Sequence, residues 1–296
     1  MQDRPDFIII GAMKCATSTV HEQLARQAGI FMAAPKEPNF FSDDEQYQRG
    51  VDWYGGLFRE APPGSLRGES STHYTKLPTY PSTVDRMRSH LEQVKVVYIM
   101  RHPIDRLVSQ YIHEWTQRVI EVPIDKAVDQ HPELTAYSRY AMQLTPYLEM
   151  FGSARVLPVF MEVLSANPQR ELERICRFLG YRGAPRWYDV VGRQNASEER
   201  LRQSSWRDML VTPVLLRRLR RAFVPQSVRD WVKGFWTMNK RPQLADIQRR
   251  KLVKLFDEDL QSLSRWLGLD LTCDTWKAVV ADADPRWVST SQQCSA

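Results

Sequence analysis

The apolar pattern begins with a short continuous run, Phe7-Ile8-Ile9-Ile10, which breaks at Gly11 into small and polar residues. A run of that length, rich in β-branched side chains and bounded by glycine, predicts a buried strand. Val20 and Leu24 follow four residues apart, the spacing that aligns side chains along a helix. The clearest strand runs from Val94 to Met100 and is almost continuously apolar. Behind it Ile104, Leu107, Val108, Tyr111, Ile112 and Trp115 make a broad apolar face at helical spacing, and Pro103 suits the first helical position. Further helices are predicted over Pro81 to Leu91, Tyr137 to Phe151 (ended by Gly152) and Pro168 to Leu179 (closed by Gly180). Arg155 to Phe160 predicts a short strand that Pro158 confines to an edge or a strand end. Leu252, Phe256, Leu260, Leu263 and Leu267 space as a packing helix. This order predicts one α/β domain over residues 1–296, a parallel sheet flanked by helices. Its core should cover about 7–200, with a helical C-terminal part over about 201–285.

The turn after the first strand carries Lys14 and then Thr17, Ser18 and Thr19. Strand, tight turn and helix aim backbone N–H groups and the positive end of a helix dipole at an anion, so the stretch reads as a P-loop-like phosphate cradle. An ordinary strand-to-helix turn with a solvated lysine fits the stretch alone equally well. The nucleotide loop G-x-x-x-x-G-K-[ST], laid on Gly11, would need glycine and lysine where the chain has Ala16 and Thr17. Arg101 stands at the carboxyl end of the second clear strand, where parallel sheets bind ligands, and a fork-shaped permanent cation suits a phosphate.

Composition adds bounds. The 296 residues can bury a sizeable core, and a hydrophobic share of 43% argues against disorder. A net charge of +6 suits an anionic ligand without implying nucleic acid. There is no apolar run of about 18 residues that could span a membrane. The polar Met1 to Asp6 passes straight into the first strand, so no signal peptide is expected. Cys15, Cys176, Cys273 and Cys294 lack a C-x-x-C pair, which predicts reduced thiols in a cytoplasmic protein, with a luminal domain separated from its anchor as the alternative. The six histidines show no metal-ligand spacing.

Two motifs together resemble the sulfotransferases that use PAPS (3′-phosphoadenosine 5′-phosphosulfate). The early lysine followed by Thr17-Ser18-Thr19 resembles their 5′-phosphosulfate loop. Arg101-His102-Pro103-Ile104-Asp105-Arg106-Leu107-Val108-Ser109-Gln110-Tyr111 resembles their 3′-phosphate motif, with Arg101 and Ser109 in the ligand positions. Lys36-Glu37-Pro38-Asn39-Phe40-Phe41 resembles the heparan-sulfate type, in which this glutamate is the proposed catalytic base. Read by itself, Glu37 is also a surface charge beside Lys36. Gly68-Glu69-Ser70-Ser71-Thr72-His73-Tyr74 matches a cleft segment of that type loosely, with Ser70 in place of lysine and Thr72 in place of proline. His73 reads as an acid or base, or as a hydrogen-bonded loop residue.

The resemblance covers about Phe7 to Tyr181 and implies transfer of a sulfuryl group from PAPS to a hydroxyl or amine of a carbohydrate, lipid or small molecule. It implies no metal and no nucleic-acid partner. Glu37, Lys14 and His73 would be catalytic; Lys14, Ala16, Thr17, Ser18, Thr19, Arg101, Ser109 and Arg193 would hold the nucleotide. A small-molecule kinase using ATP and a non-catalytic anion-binding protein of the same fold are the alternatives. The basic stretch around Arg217, Arg218, Arg220 and Arg221 reads as a docking surface or as the solvated face of a helix.

Overall fold

The computed structural model of the chain describes residues 4–189, 241–281 and 283–288. Among the described residues five strands, β1 (Phe7–Gly11), β2 (Ile30–Met32), β3 (Leu66–Ser70), β4 (Lys95–Met100) and β5 (Val156–Phe160), form one sheet in the order β2-β3-β1-β4-β5. Every pairing is parallel. Each residue of β1 and β5 is buried, as helices on both faces require, and that is why these strands read as unbroken apolar runs. β5 lies at the edge, where Pro158 leaves no neighbouring strand short of a donor.

Among the described residues the helices are α1 (Thr17–Ala25), α2 (Asp44–Tyr47), α3 (Val51–Gly56), α4 (Thr83–His90), α5 (Pro103–Thr116), α6 (Ile124–Gln130), α7 (Glu133–Ala136), α8 (Tyr140–Phe151), α9 (Met161–Ala166), α10 (Pro168–Leu179), α11 (Asp246–Leu267) and α12 (Trp276–Val280). The α/β reading and the helical C-terminal addition therefore stand. Boundaries move: α8 starts at Tyr140, three residues later than the apolar spacing predicts, because Arg139 (φ −87°, ψ 85°) is not helical. The stretch 201–240 and the basic residues Arg217 to Arg221 lie outside the described residues.

The C-terminal helices are fastened to the sheet domain by specific contacts. Asp259 of α11 accepts the N–H groups of Ala141 (2.8 Å) and Met142 (3.1 Å), an anion at the dipole end of α8. The Trp276 ring is fully buried, 5.2 Å from Phe160 and 5.9 Å from Tyr140. Asp105 of α5 receives Arg241 at 2.7 Å and Lys277 at 3.2 Å.

The chain runs from β1 out to β2 and back to β3 on one side, then crosses to β4 on the other. β1 and β4 thus flank the point where the strand order reverses. In open parallel sheets the crevice outside the carboxyl ends of such strands is where ligands bind.

Candidate functional site

Three loops meet at this carboxyl edge. The first leaves β1 at Gly11, whose φ of +152° and lack of a side chain let it pass Thr75; an added Cβ would lie 2.0 Å from Thr75 Oγ1. The Ala12 N–H then donates to the Ile99 carbonyl of β4 at 2.8 Å, tying the turn to the neighbouring strand. Lys14 (φ 69°) and Ala16 (φ 61°) adopt left-handed backbone, the reversal that gathers successive N–H groups around an anion. No side chain caps α1, so the N–H groups of Thr17, Ser18 and Thr19 remain for a ligand. Cys15 points into the core, where burial pushes its thiol up to about 12 and makes it inert.

The second loop leaves β4. Tyr140 fixes Arg101 by donating to its carbonyl at 2.5 Å and accepting its N–H at 3.2 Å. The His102 N–H donates to Glu162 at 2.8 Å, and His102 Nδ1 caps α5 by accepting from Asp105 N–H at 3.3 Å. Ser109 is half-buried on α5. Arg101 stands two residues beyond Ile99 and Lys14 two beyond Ala12, so the backbone bond between Ala12 and Ile99 sets the two cations at one edge. Arg106, the second arginine of the motif, is wholly buried instead. It donates to Ser138 Oγ (2.5 Å), Gln110 Oε1 (2.8 Å) and the Leu134 carbonyl (2.9 Å), and anchors α5.

The third loop, 33–41, carries Glu37. Its backbone is left-handed at Glu37 (φ 59°) and Asn39 (φ 52°), conformations a non-glycine residue keeps only when its surroundings impose them. Glu37 Oε1 meets Lys36 Nζ at 2.6 Å and Oε2 accepts from Thr72 Oγ1 at 3.3 Å. Burial works to raise its pKa, but Lys36, Lys76 and His73 outweigh it and hold the carboxyl below the usual glutamate range. Glu37 is therefore an ionised carboxylate at neutral pH. His73 Nδ1 lies 2.9 Å from Asp43 Oδ1 and its ring stacks on Tyr80, so the imidazole is oriented beside the loop.

Sequence reasoning missed several neighbours. Lys76 sets its ammonium 5.8 Å from the centre of the Tyr137 ring, and burial holds its pKa down. His21 of α1 places Nδ1 2.8 Å from Ser70 Oγ; burial and then Lys36 push its pKa down to about 4, so it is neutral. Glu69 lies fully buried on β3, and burial pushes its pKa up to about 7 against three hydrogen bonds that lower it. A strand carboxylate flanked by glycine and serine was a signal available in the sequence, though not one that named its partners.

The raised pKa of Glu69 has a consequence for stability. Between about 4.5, the ordinary value, and about 7 the unfolded chain loses this proton while the folded chain keeps it. Folding then binds more protons, so stability falls as pH rises through that window and levels off above it. Melting curves should show Glu69→Gln gaining on the parent protein from pH 5 to pH 8; a constant difference would contradict the assignment.

Residues 4–209 match the sulfotransferase domain family. The chain belongs to that family. Among curated sulfotransferases, it is 27% identical over 186 residues to mouse heparan sulfate glucosamine 3-O-sulfotransferase 3B1, covering 60% of this chain and 46% of that one. It is 25% identical over 201 residues to the human bifunctional heparan sulfate N-deacetylase/N-sulfotransferase 2, covering 60% of this chain and 22% of that one. The chain thus spans under half the length of these curated relatives. A solved sulfotransferase from Alicyclobacillus acidocaldarius superposes with a TM-score of 0.61 at 22% identity, covering 88% of this chain and 94% of that one, and shares the fold. Arg193, expected near the nucleotide of a sulfotransferase, lies outside the described residues. No described helix is long and apolar enough to cross a membrane. Among the described residues, no group of three or more His, Cys, Asp or Glu could hold a metal ion.

Proposed function

We propose that the chain transfers the sulfuryl group of PAPS to a hydroxyl or amine and releases 3′,5′-ADP. The reading is carried by one observation: the Lys14 turn and the Arg101 turn leave adjacent parallel strands and are joined by the bond between Ala12 and Ile99. One doubly phosphorylated nucleotide would bridge them. Lys14 with the N–H groups from Ala16 to Thr19 would receive the 5′-phosphosulfate, and Arg101 with Ser109 the 3′-phosphate.

Glu37 would take the proton from the acceptor as its oxygen or nitrogen attacks sulfur in line. The S–O bond to the 5′-phosphate breaks, and Lys14 and the α1 N–H groups meet the charge that develops on the departing oxygen. His73, oriented by Asp43 and stacked on Tyr80 beside the Glu37 loop, is assigned a supporting catalytic role. The acceptor is a carbohydrate, lipid or small molecule. The names of the curated relatives favour a carbohydrate, and the cysteine pattern favours the cytoplasm.

The test separates a 3′-phosphate site from a plain nucleotide loop. In a thermal-shift titration, 3′,5′-ADP should raise the melting temperature and ATP should raise it far less. Equal shifts would favour a kinase. Arg101→Ala should abolish most of the 3′,5′-ADP shift while leaving the unliganded protein folded.

A further inference from the structure

Beyond Ala33, whose N–H donates to the Gly68 carbonyl at 2.8 Å, three amides that fix the Glu37 loop alternate along it. Glu37 N–H donates to the Ser70 carbonyl at 2.9 Å, Asn39 N–H to Ser71 Oγ at 3.1 Å, and Phe41 N–H to the Tyr74 hydroxyl at 3.4 Å. The first of these acceptors is backbone; the other two are hydroxyls. Both hydroxyls spend their protons on one carboxylate: Ser71 donates to Glu69 Oε2 at 2.7 Å and Tyr74 to Oε1 at 3.0 Å. Tyr54 of α3 also donates to Oε1, at 2.9 Å, and its ring stacks on Phe40 of the same loop at 4.7 Å.

A hydroxyl has one proton, so its donation to Glu69 leaves its lone pairs turned toward the loop amides. Glu69 therefore decides which way Ser71 and Tyr74 face. The loop they steady contains both left-handed residues, Glu37 and Asn39, and such backbone persists only where it is over-determined. We infer that Glu69 is a positioning residue for Glu37. It touches neither substrate nor nucleotide, and acts by ordering the hydroxyl groups that hold the strained loop in register with β3. The inference rests on Glu37 being the base of the proposed reaction.

Glu69→Gln keeps size and shape but presents an amide donor to one of these hydroxyls, and Ser71→Ala removes one rung directly. Two readouts apply, both on the full chain at pH 8, above the value of about 7 at which Glu69 ionises, with 3′,5′-ADP binding confirmed. In hydrogen exchange, Asn39 N–H should lose protection at least tenfold in both variants while β1 and β4 keep theirs. Turnover of labelled PAPS is followed with heparan sulfate as acceptor, or with water where that is not taken. There kcat should fall on the order of tenfold to a hundredfold, as misplacement of a reacting group does, with the affinity for 3′,5′-ADP unchanged.

The double variant Glu37→Gln/Glu69→Gln decides the mechanism. If Glu69 acts through Glu37, the double variant is no slower than Glu37→Gln alone. Additive losses, or unchanged Asn39 exchange in both Glu69→Gln and Ser71→Ala, would overturn the positioning role. Unchanged turnover in Glu37→Gln would instead overturn the base assignment, while the exchange experiment still reads the loop. Should Glu69→Gln not fold, Ser71→Ala carries the same comparison.

Discussion

Replacement of Glu37 by glutamine should lower turnover of labelled PAPS on the order of 10²–10⁴-fold, the range supplied by a positioned general base. The substitution keeps the volume of the side chain and an oxygen to accept from Thr72, and deletes the negative charge and the proton affinity. Stability should hardly change. The pair with Lys36 is partly exposed, at 24% and 32% for the two side chains, and such ion pairs contribute about 0–1 kcal/mol. Affinity for 3′,5′-ADP should also persist, since no cradle residue is altered. The pH profile gives an independent check. Lys36 and Lys76 hold Glu37 below the usual glutamate range, so the base stays ionised as pH falls, and in Glu69→Gln, where the buried carboxyl no longer titrates near 7, activity should be lost only below that range. Activity retained in Glu37→Gln, or a limb rising near neutral pH in Glu69→Gln that persists in Glu37→Gln/Glu69→Gln, would move the role of base to another group.

The parts of this molecule that were legible in its sequence are those in which one element carries its own signal. β1, β4 and β5 are buried on both faces, so each appears as an apolar run without help from its neighbours. The apolar stripe of α5 is a property of one helix. The Lys14 turn and the Arg101 turn were likewise visible, because an anion site built from a strand end and a helix start is local in sequence. β2 was not, since three residues, Ile30–Met32, carry too little periodicity. Nor were α2, α3, α6 and α7, the short helices in the stretches between the main elements. At the site, the motif carries two arginines, and the structural role of Arg106 was not legible: packing spends its guanidinium on Ser138, Gln110 and Leu134, whereas Arg101 stands at the sheet edge. The Glu69 network was hidden for a related reason. It joins α3, β3, the turn 72–75 and the loop 33–41, and no spacing rule links four segments.

Gly11→Ala should be among the most destabilising single methyl additions in the chain. The new Cβ would lie 2.0 Å from Thr75 Oγ1 and 3.1 Å from the Tyr98 ring, in backbone at φ +152° that side chains rarely adopt. Overpacking of a close-packed site costs about 1–3 kcal/mol and backbone strain about 1–3 kcal/mol, so a loss of about 2–6 kcal/mol is expected. At roughly 2–4 °C per kcal/mol for a chain of this order of size, melting should fall by roughly 4–24 °C. The two contributions can be separated. Thr75→Ala removes the clashing oxygen and also the 2.7 Å bond from that oxygen to the Ile10 carbonyl, so by itself it destabilises by about 1 kcal/mol. Combined with Gly11→Ala it should relieve the collision, leaving the strain, so that the double variant is less destabilised than the sum of the single ones. Strict additivity would mean that the chain escapes the contact by shifting β1 away from the turn at 72–75. Such a shift would also misplace Lys14, and the 3′,5′-ADP melting shift would then vanish in Gly11→Ala even where the protein remains folded.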